Sequence, residues 1–335
     1  MAIKIVETTS RTHVTRRATL AALAATCIGM GSPQIANAQN WPNRPVTIIV
    51  PFGPGASNDT FTRMLANILT KQLGQPFIVV NRPGAGGFIG SDAVAKAAPD
   101  GYTLLEMPSS IAGLKPIMKV DLDPVKNLAP IALLARSPAT MVINPALPVK
   151  TVKEFIEYAK ANPETTFYGM AGIGSTNHLQ AEAFKSATGI KMTGVNYKSA
   201  AEVMNDVIAG RVHVMFSTPA TTRGPIEAGQ LRILAYSESV RSPNGLNAPS
   251  LAEAGVPGLE ASMQSWWAVF GPPALPMEIK LKLNAAINAA QKDPEFAAML
   301  TKAGATPTSV TVAETIETVK REIEFVEKVP KPAPQ

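Results

Sequence analysis

Residues 46–73 read VTIIVPFGPGASNDTFTRMLANILTKQL, and this stretch sets the fold class. Val46–Val50 is a short β-branched apolar run, the pattern of a strand buried on both faces of a parallel sheet. The segment that follows, 52–59 (FGPGASND), is rich in glycine and short polar residues and reads as a loop. From Thr60 to Leu73 the apolar residues Phe61, Met64, Leu65, Ile68 and Leu69 recur at helical spacing. Strand, glycine-rich loop and helix in that order open a parallel sheet with crossover helices.

Downstream the same grammar continues. The spacing predicts a strand over 77–80, a second loop over 81–88 (NRPGAGGF), a helix over 89–97 and a strand over 102–107 ending in Pro108, Ser109 and Ser110. In the second half it predicts strands over 141–143, 167–169, 194–197, 212–216 and 231–236, with helices over 152–161, 177–187 and 200–209. A third glycine-rich loop, 170–176 (MAGIGST), opens the helix at 177. SWWAVF (265–270) predicts a further strand, and 277–291, 294–303 and 310–326 predict helices. The expected architecture is α/β, with two lobes and a parallel-rich sheet in each; 335 residues are enough for both cores. No repeat of short fixed period is present.

The loops carry the chemistry. In an open α/β sheet, ligands bind beyond the carboxyl ends of the strands, where such loops converge. Each loop opens a helix whose first N–H groups lack partners and carry partial positive charge, so an anion fits there without a cationic side chain. Glycine allows close backbone approach, and Ser or Thr adds a hydroxyl. Loops of this type in both halves imply a clamp that closes on its ligand. None carries the lysine of a triphosphate-binding loop. In GAGGFIG (84–90) the last glycine, Gly90, falls one position late for a dinucleotide fingerprint, and the motif is not on the first strand. Ser175 and His178 lie too close together at a helix start to form a nucleophile and its base; His178 is expected to cap or pack. Asp59 has no partner for base catalysis and is expected to accept N–H bonds that fix its loop. No G-x-S-x-G elbow is present. A binding protein rather than an enzyme is expected, with no cofactor.

Charge and composition narrow the class further. Hydrophobic residues make up 46% and charged residues 17%, and the net charge is +6, of which +3 comes from Lys4, Arg11, Arg16 and Arg17 against Glu7. No basic cluster with interleaved aromatics suggests nucleic acid. Residues 11–38, RTHVTRRATLAALAATCIGMGSPQIANA, read as a signal peptide: basic flank, short apolar run, and an A-x-A site predicting cleavage after Ala38. Arg16-Arg17 leaves the Sec and Tat routes both open, while Thr26 disfavours lipidation at Cys27. Without that segment the chain keeps only His178 and His213 and no cysteine, too little for a transition-metal site. The mature chain is expected in the periplasm, as a monomer by default.

WPNRPVTIIVPFGPGASNDTFTR (41–63), NRPGAGGFIGSDAVAKAAPDGYTLL (81–105), GMAGIGSTNHLQAEAF (169–184), VNYKSAAEVMNDVIAGRVHVMF (195–216) and QSWWAVFGPPALP (264–276) together resemble the Bug (TctC-like) family, the periplasmic substrate-binding component of tripartite tricarboxylate transporters. The resemblance covers essentially the whole mature chain in the same order. It implies a two-lobed periplasmic-binding-protein fold of the Venus-flytrap type II, with lobes over 41–141 plus 263–335 and over 142–262. It also implies that the partners are a small organic carboxylate and the membrane components of such a transporter. The implied contacts are Phe52, Ser57, Asn58 and Asp59 in the first loop, Ala85 and Gly86 in the second, and Ser109 and Ser110 after the third strand. From the second lobe they are Gly172, Ser175, Thr176, Tyr197, Ser217 and Thr218. The chain departs from the family pattern at Ser199, where glycine is usual, at Ser217, where aspartate is common, and at Trp267-Ala268, where glycine often stands second. The missing aspartate argues against an amino-acid ligand, and Phe52 at the cleft lip leaves aromatic carboxylates such as terephthalate open. A sensory protein that presents a ligand to a receptor kinase, and a periplasmic enzyme acting on an organic acid, are the alternative readings.

Overall fold

A computed structural model of the chain describes residues 41–55, 57–237, 247–259 and 263–328. The signal peptide expected over 1–38, its cleavage site and Cys27 lie outside the described residues. Two mixed sheets organise the rest. The first has the order β11-β4-β10-β3-β1-β2, from β1 (Val46–Val50), β2 (Phe77–Asn81), β3 (Thr103–Pro108), β4 (Ala129–Ser137), β10 (Ser265–Gly271) and β11 (Thr306–Pro307). The second has the order β7-β6-β8-β5-β9, from β5 (Thr140–Ile143), β6 (Phe167–Met170), β7 (Thr193–Asn196), β8 (Val214–Ser217) and β9 (Arg232–Tyr236).

Each sheet has a parallel part and an antiparallel part. β1 pairs in parallel with β2 and β3, whereas β10 runs antiparallel to both β3 and β4. β6 pairs in parallel with β7 and β8, and β5 runs antiparallel to β8 and β9. The antiparallel strands are those by which the chain passes between the sheets: it leaves the first between Ser137 and Thr140 and is back in it by Ser265. The strand expected over 141–143 thus begins at Thr140 and belongs to the second sheet throughout, so the passage precedes Met141. β4 was not anticipated by the sequence pattern.

Nine α-helices among the described residues cover these sheets: α1 (Ser57–Leu73), α2 (Phe88–Ala95), α3 (Val152–Ala161), α4 (Thr176–Thr188), α5 (Ala200–Ile208), α6 (Pro219–Glu227), α7 (Met277–Ala290), α8 (Pro294–Lys302) and α9 (Val312–Lys328). Both faces of the second sheet are covered, so alternate residues bury in opposite directions. Met141, Ile143, Val214 and Phe216 pack with Phe155 of α3 and Phe184 of α4. Val142 and Met215 face the other way, onto Val203 and Val207 of α5. In the first sheet Ile49, Leu105, Leu133, Ala268 and Phe270 pack with Val94 of α2 and Val319 of α9. A smaller cluster joins the lobes: Ala112 and Ile117, after β3, meet Leu179 of α4 and Val326 of α9.

Both tryptophans of β10 are interior residues. Trp266 donates its indole N–H to Glu322 at 3.2 Å, and Trp267 sits edge-on to Phe61 with ring centroids 5.2 Å apart. No helix among the described residues is long and apolar enough to cross a membrane.

Candidate functional site

A cleft of about 570 Å3 opens where the loops of the two lobes meet. Phe52, Asn58, Gly86, Pro108, Ser110 and Met118 line it from the first lobe, and Ala171, Gly172, Ile173, Gly174, Ser175, Thr176 and Asn196 from the second. None of these is charged or a usual acid–base group. The volume suits a small organic molecule, and what surrounds it is backbone, amide and hydroxyl.

The first loop is held by Asp59. Its Oδ2 accepts from the Gly55 N–H and from Arg63 Nε, both at 3.0 Å, and its Oδ1 accepts from Asn81 Nδ2 at 2.8 Å. Asn81 Nδ2 also reaches the Phe52 carbonyl at 3.1 Å, which ties β2 to the loop after β1. Burial alone would raise the Asp59 carboxyl. The bonds from Arg63, Gly55 and Asn81, with the charge of Arg63, outweigh burial and hold it below the usual carboxylate value. Asp59 therefore builds the loop, as the reading of its loop anticipated, and it is not among the residues of the cleft wall, where the resemblance had implied a contact.

Behind Asn58 lies Glu106 of β3, which is fully buried. Burial raises its carboxyl to about 8, against weaker opposition from Thr62 and Asn58, so it is protonated at neutral pH. Thr62 and Asn58 are its polar neighbours, but neither carboxyl oxygen nor Asn58 Nδ2 makes a hydrogen bond of ordinary length and angle. The second loop turns on Gly86 and Gly87, with φ of 62° and 97°. A Cβ at Gly86 would lie 2.6 Å from Met118 Sδ, so glycine there satisfies both the backbone and the neighbour that lines the cleft.

The second-lobe loop is shaped from within. His178 Nδ1 accepts the Gly174 N–H at 3.1 Å, and burial lowers its pKa, so the ring is neutral. The Ser175 hydroxyl lies 2.6 Å from both Gly172 O and Asn177 Oδ1. Asn177 Oδ1 also takes the Ala171 N–H at 3.3 Å, leaving Asn177 Nδ2 buried and unpartnered. Helix α4 starts at Thr176 on the cleft wall, and the N–H groups of its first turn have no intrahelical acceptor.

Of the expected contacts, Phe52, Asn58, Gly86, Ser110, Gly172, Ser175 and Thr176 are gathered around this cleft. Seven others are not on its wall. Ser57 and Ala85 are exposed, and Ser109 is buried. Asp59 is engaged as described. Tyr197 donates its hydroxyl to Asp206 at 2.7 Å; burial, then this bond, pushes its pKa up to about 12. Ser217 is buried, its carbonyl accepting from Thr140 Oγ1 at 3.0 Å, and Thr218 is the N-cap residue of α6. With Ser217 off the cleft wall, the aspartate missing there gives no argument against an amino-acid ligand. Ser199 caps α5, accepting the Glu202 N–H at 3.3 Å. Asn196, beside Tyr197, faces the cleft instead of it; the motif marked the right corner, but a tyrosine there has its own acceptor. Met118 lies in a segment without any motif, and nothing in the sequence marked it.

Residues 61–329 match the profile of a family described as tripartite tricarboxylate transporter family receptor. The chain is 34% identical over 315 residues to protein BugT of Bordetella pertussis, an alignment covering 93% of this chain and 95% of BugT. Among solved structures, Rpa4515 of R. palustris with adipate superposes with a TM-score of 0.76 at 35% identity, covering 86% of this chain and 97% of that one. MatC (Rpa3494) from Rhodopseudomonas palustris with bound malate gives a TM-score of 0.75 at 28% identity, covering 86% and 99%.

Proposed function

The chain belongs to the tripartite tricarboxylate transporter receptor family, and from that premise we propose that it captures a small organic carboxylate in the periplasm and delivers it to the membrane components of such a transporter. In this reading the lobes run over 42–138 plus 264–328 and over 139–259, with crossovers at the two passages between the sheets. The observation that carries the proposal is the cleft wall: an uncharged surface of backbone, amide and hydroxyl groups with a helix start from each lobe. Such a surface recognises anionic oxygens through N–H dipoles. Hydrogen bonds to a carboxylate are about twice as strong as neutral ones and strengthen as closure removes water. Ligand would bind the closed form better and shift an open–closed equilibrium toward it.

The adipate and malate held by two solved relatives favour an aliphatic dicarboxylate over an aromatic one. The absence of any Asp, Glu, His, Lys, Cys or Tyr from the described cleft wall supports capture rather than catalysis. Thermal unfolding of the purified protein against malate, adipate, succinate, glutamate, benzoate and terephthalate tests the reading. A ligand of the native state raises Tm by linkage, and Ser175→Trp should abolish that rise while leaving the unliganded Tm near wild type. No rise with any carboxylate, and none co-purifying by mass spectrometry, would overturn the proposal.

A further inference from the structure

A second cavity, of about 240 Å3, lies apart from the cleft where α9 crosses the passage strands. In the ladder Arg136 of β4 stands opposite Trp266 of β10, so the two side chains share a face. From α9, Thr318, Arg321, Glu322 and Phe325 complete the wall, with Gln264 just before β10. A contiguous hollow of about 310 Å3 shares Arg136 and Gln264 and adds Ser137, Pro138, Thr306 and Thr308. Both cavities therefore touch the two segments by which the chain changes lobes.

Two arginines line this cavity. Arg136 donates one guanidinium N–H to Thr318 Oγ1 at 3.0 Å, but its Nε is buried with no acceptor. Among the described ion pairs neither Arg136 nor Arg321 has a carboxylate partner. Two carboxyl groups are near enough to matter. Glu314 is occupied by Thr311, whose N–H and hydroxyl both reach its Oε2 at 2.8 Å. Glu322 is buried beside Trp266, and burial raises it to about 8, so at neutral pH it adds a neutral O–H donor rather than a negative charge. Burial, and then the charge of Arg321, lowers the Arg136 pKa, with the Glu314 carboxylate opposing them more weakly.

Two guanidinium groups and the Gln264 carboxamide line this hollow, beside Phe325, the Trp266–Glu322 bond and a Thr318 hydroxyl that accepts from Arg136 and donates to the Glu314 carbonyl. We propose that this hinge-side cavity, formed by Arg136, Arg321, Thr318 and Gln264, is a second binding site, which takes a small dianion such as sulfate, phosphate or a short dicarboxylate. Guanidinium forks match the paired oxygens of all three. The site is independent of the carboxylate cleft and stands whether or not that reading holds.

Isothermal titration with inorganic sulfate, inorganic phosphate and succinate, each at ionic strength held constant with sodium chloride, tests the proposal. It is run on the wild type and on Ser175→Trp, in which the cleft is filled. Saturable binding of one equivalent of at least one dianion, retained in Ser175→Trp, is expected; succinate alone would make the occupant organic, and sulfate or phosphate alone inorganic. Arg321 is exposed, so Arg321→Ala should fold normally and weaken binding about tenfold or more, with Arg321→Lys intermediate. Absence of saturable binding by all three, equal affinity in Arg321→Ala, loss in Ser175→Trp, or an equal response to chloride would each overturn the proposal.

Discussion

At the scale of single residues, the two carboxyl groups behind the first loop act in opposite senses. Asp59 is held below its usual 3.8, so its contribution to stability is fully present above that value and fades as pH falls through its lower folded value. Asp59→Asn should cost about 1–3 kcal/mol at neutral pH, and the gap to wild type should close below pH 3.8. Urea melts over a pH series would show it, and a gap that stays constant into acid would count against the role given to Asp59. Glu106 is shifted the other way, from 4.5 to about 8. Between those values the folded chain keeps a proton that the unfolded chain has lost, so stability declines as pH rises through the interval. Glu106→Gln removes that dependence. Its Tm should match wild type below pH 4.5 and exceed it increasingly toward pH 8, while parallel curves would mean that the buried carboxyl is already ionised. Glu322 contributes the same slope, so one substitution flattens only part of it.

Elements show why some of the fold was legible and some was not. α8 could be read from its start signals. Asp293 accepts the N–H groups of Glu295 and Phe296, both at 3.0 Å, and Pro294 supplies the first helical residue. Asp293→Ala should lower stability by about 1 kcal/mol, measured in urea, with Asp293→Ser recovering most of it. The strands and helices around the three glycine-rich loops followed from their periodicity to within a few residues. β4 did not, because APIALLARS carries Pro130 and no alternation. The proline is accommodated where the ladder to β10 slips register between Val269 and Phe270, the kind of irregularity that tolerates a missing N–H. α6 was hidden by Gly224 and Pro225 inside its own span. In the candidate site, loop positions were legible through their composition, but side-chain direction was not. Tyr197 and Ser217 are drawn away by Asp206 and by burial in β8, and neither influence has a local signature.

For the whole molecule, the two-lobed α/β arrangement followed from one loop type recurring in both halves, and the family resemblance supplied the crossing of the chain. The position of β10 also bears on the order in which the protein can be made. The strands of the second sheet all come from one continuous stretch, Thr140 to Tyr236. The first sheet has β10 at its centre, between β3 and β4, with Val269 opposite Glu106 and Ala132. Until Ser265–Gly271 arrives, β3 and β4 have no common partner, and closing so long a loop is slow. Pulse-labelled hydrogen exchange during refolding should therefore find amides of β5, β6 and β8 protected before those of β3, β4 and β10; simultaneous protection would refute this order. A chain emerging N-terminus first thus displays the apolar strands of its first lobe longest, and it is the earliest-made half that waits for the last.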